Sequence, residues 1–260
     1  MMTNTTAAKR RRVGVLPIAV LGLTSVFCQA APATPASNDM TQTQAVSDTL
    51  SARQQAIVPI AAFAAAGDIS RLSVALNQGL DAGLTVSDAR EVLVQVYAYA
   101  GFPRSLNALG ELMKVLDARR QRGIQDPPGR APSRPIPSGE ALLAAGTANQ
   151  TKLVGQPVQG PLFDFAPAID EYLKTHLFGD IFERDNLEWH SRELATVGML
   201  SALPGAEAQL QSHMRISMNV GLTVSQLDQL VQVLAERVGT DNAARARMAL
   251  KQTLATSPIR

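Results

Sequence analysis

Two stretches of this chain, 138 positions apart, are variants of one segment. Residues 83–101 and 221–239 both open Gly-Leu-Thr-Val-Ser and align without a gap to Gly101 and Gly239. Upstream the offset becomes 137, so that Leu50 pairs with Leu187 and Ile57 with Leu194, which places one inserted residue near Pro204-Gly205. A duplication over roughly 70 residues restricts the fold to two like halves. Neither half offers a large core by itself, so the two are expected to pack against each other about a pseudo-twofold axis.

Each copy reads as four helices, over about 51–66, 69–82, 86–100 and 103–118 in the first. Gly83 and Gly221 stand where a helix end requires positive φ. Thr85 and Thr223 follow as N-caps, with Asp88 and Gln226 three residues on as capping-box partners. Pro103 suits a first helical turn, whereas Pro59 is expected to kink its helix or delay its start. Between the copies, five prolines from Pro127 to Pro137 mark an extended, solvated linker, and 138–155 and 167–182 look helical again. The division expected is therefore 1–33 as a signal peptide, 34–49 as a disordered segment, 50–118 as the first domain, 119–186 as linker and connector helices, and 187–256 as the second domain. With 46% hydrophobic residues and only 4% aromatic, the composition favours an all-α class over aromatic-rich β architectures.

The beginning of the chain reads as an address. Lys9-Arg10-Arg11-Arg12 precedes an apolar run from Val13 to Phe27, and small residues follow at Ala30, Ala31 and Ala33. That is the order of a secretory signal, with cleavage after Ala30 or Ala33. A periplasmic or secreted protein with no stable membrane anchor after processing is expected. N-terminal sequencing of the exported protein is expected to start at Ala31 or Thr34, and a start at Met1 would contradict it. The whole chain carries 24 bases and 22 acids, and removing the first thirty residues leaves 20 bases against 22 acids. No electrostatic footprint for nucleic acid remains. Cys28 is the single cysteine, and it lies within the signal, so thiol chemistry is closed to the mature chain.

Titratable residues concentrate in copy 2. On the second helix of that copy, Leu210, His213, Met214 and Ser217 share a face. The same face of copy 1 reads Leu72, Ala75, Leu76 and Gly79, so an imidazole has replaced a small residue on a core-facing stripe. Two readings stand: a satisfied core histidine, or an acid–base residue lining a pocket. Glu193, on the preceding helix, is within reach through a hairpin near Pro204-Gly205. There it can fix the ring's tautomer, the alternative being a surface ion pair with Arg192 or Arg215. His190 lies three residues ahead of Glu193, but no ligand spacing supports a metal site. Tyr97 and Tyr99 in copy 1 fall on different helix stripes. Core packing is the default reading for either ring. Their counterparts in copy 2 are Ala235 and Arg237, a division that one composite pocket shared between the copies accounts for, as does independent drift of the two copies.

With these residues in view, the chain resembles the carboxymuconolactone decarboxylase family, which has the all-helical alkylhydroperoxidase-D-like fold. The resemblance runs through Leu50-Ser51-Ala52-Arg53, Val92 to Pro103 and Asn107-Ala108 in copy 1. In copy 2 it runs through Arg192-Glu193-Leu194, His213-Met214-Arg215 and Asn219 to Thr223, and the connector contributes Gly146-Thr147 and Phe178 to Phe182. It implies a tandem duplication of that helical domain packed as a pseudo-dimer, in an exported two-domain subgroup. It implies His213 and Glu193 as the catalytic proton relay, and a cofactor-independent lyase of decarboxylase or isomerase type on a small lactone or carboxylated metabolite. Arg192, Arg215, His190, Tyr97 and Tyr99 are the candidate substrate-binding residues. A homo-oligomer, as a trimer of two-domain chains, is implied too. Peroxidases of the same superfold carry Cys-x-x-Cys seven and four residues before the histidine, and those positions here are Ala206 and Gln209, which disfavours a thiol peroxidase. The rival expectation is a non-catalytic small-ligand-binding or assembly protein that retains only the fold.

Overall fold

The structure is a computed structural model that describes residues 48–256. The expected signal peptide and most of the segment after it lie outside the described residues. Within them every regular element is a helix, and copy 1 forms α1 (Ala52–Ala66), α2 (Ile69–Asp81), α3 (Val86–Ala100) and α4 (Phe102–Gln121). The connector forms α5 (Glu140–Val154), α6 (Pro161–Phe165), α7 (Pro167–Tyr172) and a π-helical stretch over Leu173–Ile181. Copy 2 forms α8 (Trp189–Ser201), α9 (Glu207–Asn219), α10 (Val224–Arg237) and α11 (Thr240–Thr256).

Local chemistry sets these boundaries. Thr85 with Asp88 and Thr223 with Gln226 close reciprocal capping boxes at the starts of α3 and α10, and Gly83 and Gly221 turn the preceding helices off at φ 94° and 101°. Pro59 does not delay α1. The helix already begins at Ala52, started by a capping box between Ser51 and Gln54, and Pro59 is buried inside it. The capping bonds and the burial of the helix outweigh the one backbone donor that proline lacks.

The two copies meet as a pseudo-symmetric pair. α1 packs along α8, its counterpart, and the cross-contacts α1 with α10 and α3 with α8 are related by the same exchange of copies. Gly198 lets the central helices approach, since a Cβ there would fall 2.8 Å from the Val58 carbonyl oxygen. Ile57, Val58, Ile60, Leu194, Val197 and Met199 are essentially solvent-free at this junction. One apolar core therefore spans both copies, and the expected pseudo-dimer of tandem helical domains is the observed architecture.

The proline-rich segment is not a free, solvated linker. The Val86 and Ser87 amides donate to the carbonyls of Pro127 and Pro128, and Arg119 grips Asp126 through two guanidinium nitrogens at 2.8–3.1 Å. Arg130 and Ser133 reach Asp185. Proline removes donors but leaves carbonyls, and here those carbonyls satisfy the amides of the first turn of α3 that have no acceptor within the helix. Beyond it α5 packs on the π-helical stretch, close enough that a Cβ on Gly146 would lie 1.7 Å from the Lys174 carbonyl oxygen.

Candidate active site

A cleft of about 660 Å³ opens where three parts of the chain converge. Copy 1 supplies Ala98 and Tyr99 from the end of α3. Copy 2 supplies Gln209, Ser212, His213 and Arg215 from α9. The connector supplies an apolar wall that includes Leu162, Phe163, Ile169, Leu173 and Phe178.

His213 and Glu193 are joined in this structure. The imidazole Nδ1 lies 2.8 Å from Glu193 Oε2, with the carboxylate wholly buried in α8 and the ring 8% exposed. Glu193 carries no hydrogen-bond donor of its own when ionised, so Nδ1–H donates to it. That leaves Nε2 with its lone pair and no partner among the described residues, on a ring that lines the cleft. Oε1 of Glu193 is buried without a partner, which directs the carboxylate's influence to the imidazole.

Tyr99 crosses from the other copy to complete this corner. Its ring meets His213 edge-on, with centroids 5.6 Å apart, and its hydroxyl lies 3.3 Å from Thr196 Oγ1. Burial and the nearby Glu193 charge push the Tyr99 phenol far above its ordinary value, so it stays protonated at any working pH. Thr196 in turn accepts from Gln95 Nε2 at 2.8 Å, tying the corner to α3.

The other sequence candidates separate. Arg215 stands exposed at the rim, holding Thr256 Oγ1 at 3.0 Å. Arg192 is the main correction: it does not line the cleft. Its side chain is fully buried, held by Glu91 at 3.1 Å, the Arg184 carbonyl at 2.9 Å and Gln95 at 3.4 Å. A guanidinium adjacent to Glu193 in sequence points elsewhere because successive helical residues diverge by about 100°. Tyr97 stacks on Phe102 with centroids 4.7 Å apart, off the cleft wall. His190 is half-buried at the start of α8 and does not line the cleft either. Among the described residues, no group of three or more His, Cys, Asp or Glu side chains is placed to hold a metal ion.

Only one of the two pseudo-equivalent corners is chemically equipped. The positions matching Glu193, Thr196, His213 and Gln95 are Ala56, Pro59, Ala75 and Val233. Sequence reasoning missed Thr196, Gln95 and the whole connector wall. The repeat alignment did contain a signal for the first two, since each replaces an apolar counterpart in the other copy.

A duplicated all-helical scaffold with one buried carboxylate–imidazole pair, opening on an apolar cleft, defines the class. The sequence model of the carboxymuconolactone decarboxylase family matches residues 32–113 and 167–252, well over half of the chain. The chain belongs to the carboxymuconolactone decarboxylase family. It is also similar, at 33% identity over 70 residues, to the 4-carboxymuconolactone decarboxylase of Acinetobacter baylyi (strain ATCC 33305 / BD413 / ADP1). That similarity covers 27% of this chain and 52% of the relative, so the chain spans about half the length of the curated relative it matches.

Proposed function

We propose that this chain is an exported, cofactor-independent acid–base lyase acting on a small carboxylated molecule. The reading rests above all on the 2.8 Å bond between Glu193 and His213, which leaves imidazole Nε2 in the cleft. Loss of carbon dioxide from a carboxylate leaves an electron pair on carbon, and a proton must arrive there. His213 Nε2, protonated from solvent, delivers it, and Glu193 stabilises the imidazolium before transfer. Glu193 is thus a positioning residue, and Arg215 at the rim attracts the anion into the cleft. Export is supported by the basic and apolar N-terminal run with its small-residue sites. Assembly into a homotrimer is supported by Phe102, Leu106 and Met113, exposed along α4, where α11 carries Thr240, Ala244 and Lys251.

The test is a panel of lactone carboxylates and β-oxo acids incubated with residues 34–260, with carbon dioxide release as the readout. Release from at least one compound is expected, well above the rate in buffer. No release across the panel, with ligand binding retained, would favour the second reading, a non-catalytic binding protein, which the apolar connector wall also suits.

A further inference from the structure

Gln150 is the buried polar residue of this cleft that the acid–base reading leaves without a role. It sits on α5, is 4% exposed and lines the cleft. Its amide makes no hydrogen bond among the described residues, in contrast to Asn149 beside it, which donates to the Phe178 carbonyl and to Glu183. A primary amide carries two donors and a carbonyl acceptor, and with no partner among the described residues these are free for whatever fills the cleft. α5 packs directly on α9, which puts Gln150 and His213 on adjoining walls.

The charges on those walls narrow the ligand. Among the described residues, Arg215 is the one with a permanent charge lining the cleft, and the connector side is hydrocarbon from Leu162, Phe163, Ile169, Leu173 and Phe178. A second or third carboxylate would be left desolvated against that wall without a counter-charge, a costly arrangement. The volume of about 660 Å³ falls within the roughly 300–1,000 Å³ that takes ligands of drug-like size. We infer that Gln150 is a substrate-recognition residue, and that the substrate is an amphiphilic monocarboxylate whose head group meets Gln150 while its apolar body lies on the connector wall. This deepens the lyase reading and rests on it for the word substrate, but recognition itself does not require that His213 be catalytic.

The experiment is calorimetric titration of residues 34–260 with three probes: octanoate, the dicarboxylate adipate and octan-1-ol. Octanoate is expected to bind at least tenfold tighter than either of the others. Gln150→Met, nearly isosteric, is expected to weaken octanoate about tenfold and leave octanol unchanged, the loss anticipated for a hydrogen bond to a charged group. The same loss is expected when the Gln150 substitution is made in a His213→Asn background, whether or not that protein turns anything over. A failure of catalysis alone therefore leaves this inference standing. Because that amide bonds no other described residue, Gln150→Met is also expected to keep the parent's melting temperature within about 2 °C. Adipate binding as tightly as octanoate overturns the ligand class. Unchanged octanoate affinity in Gln150→Met, or weakened binding together with a lowered melting temperature, overturns the role of Gln150.

Discussion

Replacing His213 is expected to lower turnover by two to four orders of magnitude, the range that a positioned general acid contributes. His213→Asn is the better variant, because its amide keeps a donor near Glu193. His213→Ala leaves the buried carboxylate with no partner, so its effect mixes lost chemistry with lost stability. The check is the rate of carbon dioxide release at saturating substrate beside a circular-dichroism spectrum of each variant. Rates within threefold of the parent in a folded His213→Asn protein would exclude the ring from proton transfer. Glu193→Gln is expected to reduce turnover less and to displace the pH–rate profile, since it changes the charge beside the ring and leaves the ring in place. A merely structural glutamate would lower the melting temperature without moving that profile.

The second large effect is expected at Glu91. Burial by itself raises the Glu91 carboxyl, but hydrogen bonds from Arg184 and Asn186, with the charges of Arg192 and Arg184, hold it down at about 2. Its folded value thus lies below the ordinary glutamate value of 4.5. The linked stability is fully present above about pH 4.5 and is lost as pH falls through about 2. The gap corresponds to about 3 kcal/mol. Glu91→Gln should cost about 3–5 kcal/mol at pH 7, because Arg192 is then buried without its counter-charge. Urea unfolding between pH 7 and 2.5 checks both statements. The parent should lose stability steeply below pH 4.5, and Glu91→Gln should start lower and fall less. Equal stability of the two proteins at pH 7 would remove Glu91 from the account.

The helical frame was legible because its signals are local. Thr85–Asp88 and Thr223–Gln226 each settle a helix start within four residues, and Gly83 and Gly221 settle the turns before them. His213 was legible for a different reason: the duplication supplies a reference, and the ring replaces Ala75 of the other copy, while Glu193 was read from its reach to that ring. Arg192 was misread because its meaning depends on Glu91 and Gln95, about 100 positions away, and no local pattern reports a partner at that distance. Tyr97 and Tyr99 differ by two residues yet point to different neighbours, Phe102 and His213. Their stripes were separable in the sequence, but not which stripe faced the other copy. The connector had no second copy to compare with, so its wall, and Gln150 within it, went unseen.

The fused pair also determines how the molecule should respond to ligand. A twofold dimer of identical chains repeats every site, which permits coupling between the paired binding events. Here the corner that would mirror His213 and Glu193 holds Ala75 and Ala56, and the chain carries one equipped corner. Linkage between two like sites cannot arise within a chain that has only one. Saturation should therefore follow a simple hyperbola at one ligand per chain. Any sigmoidal response would have to be transmitted between chains.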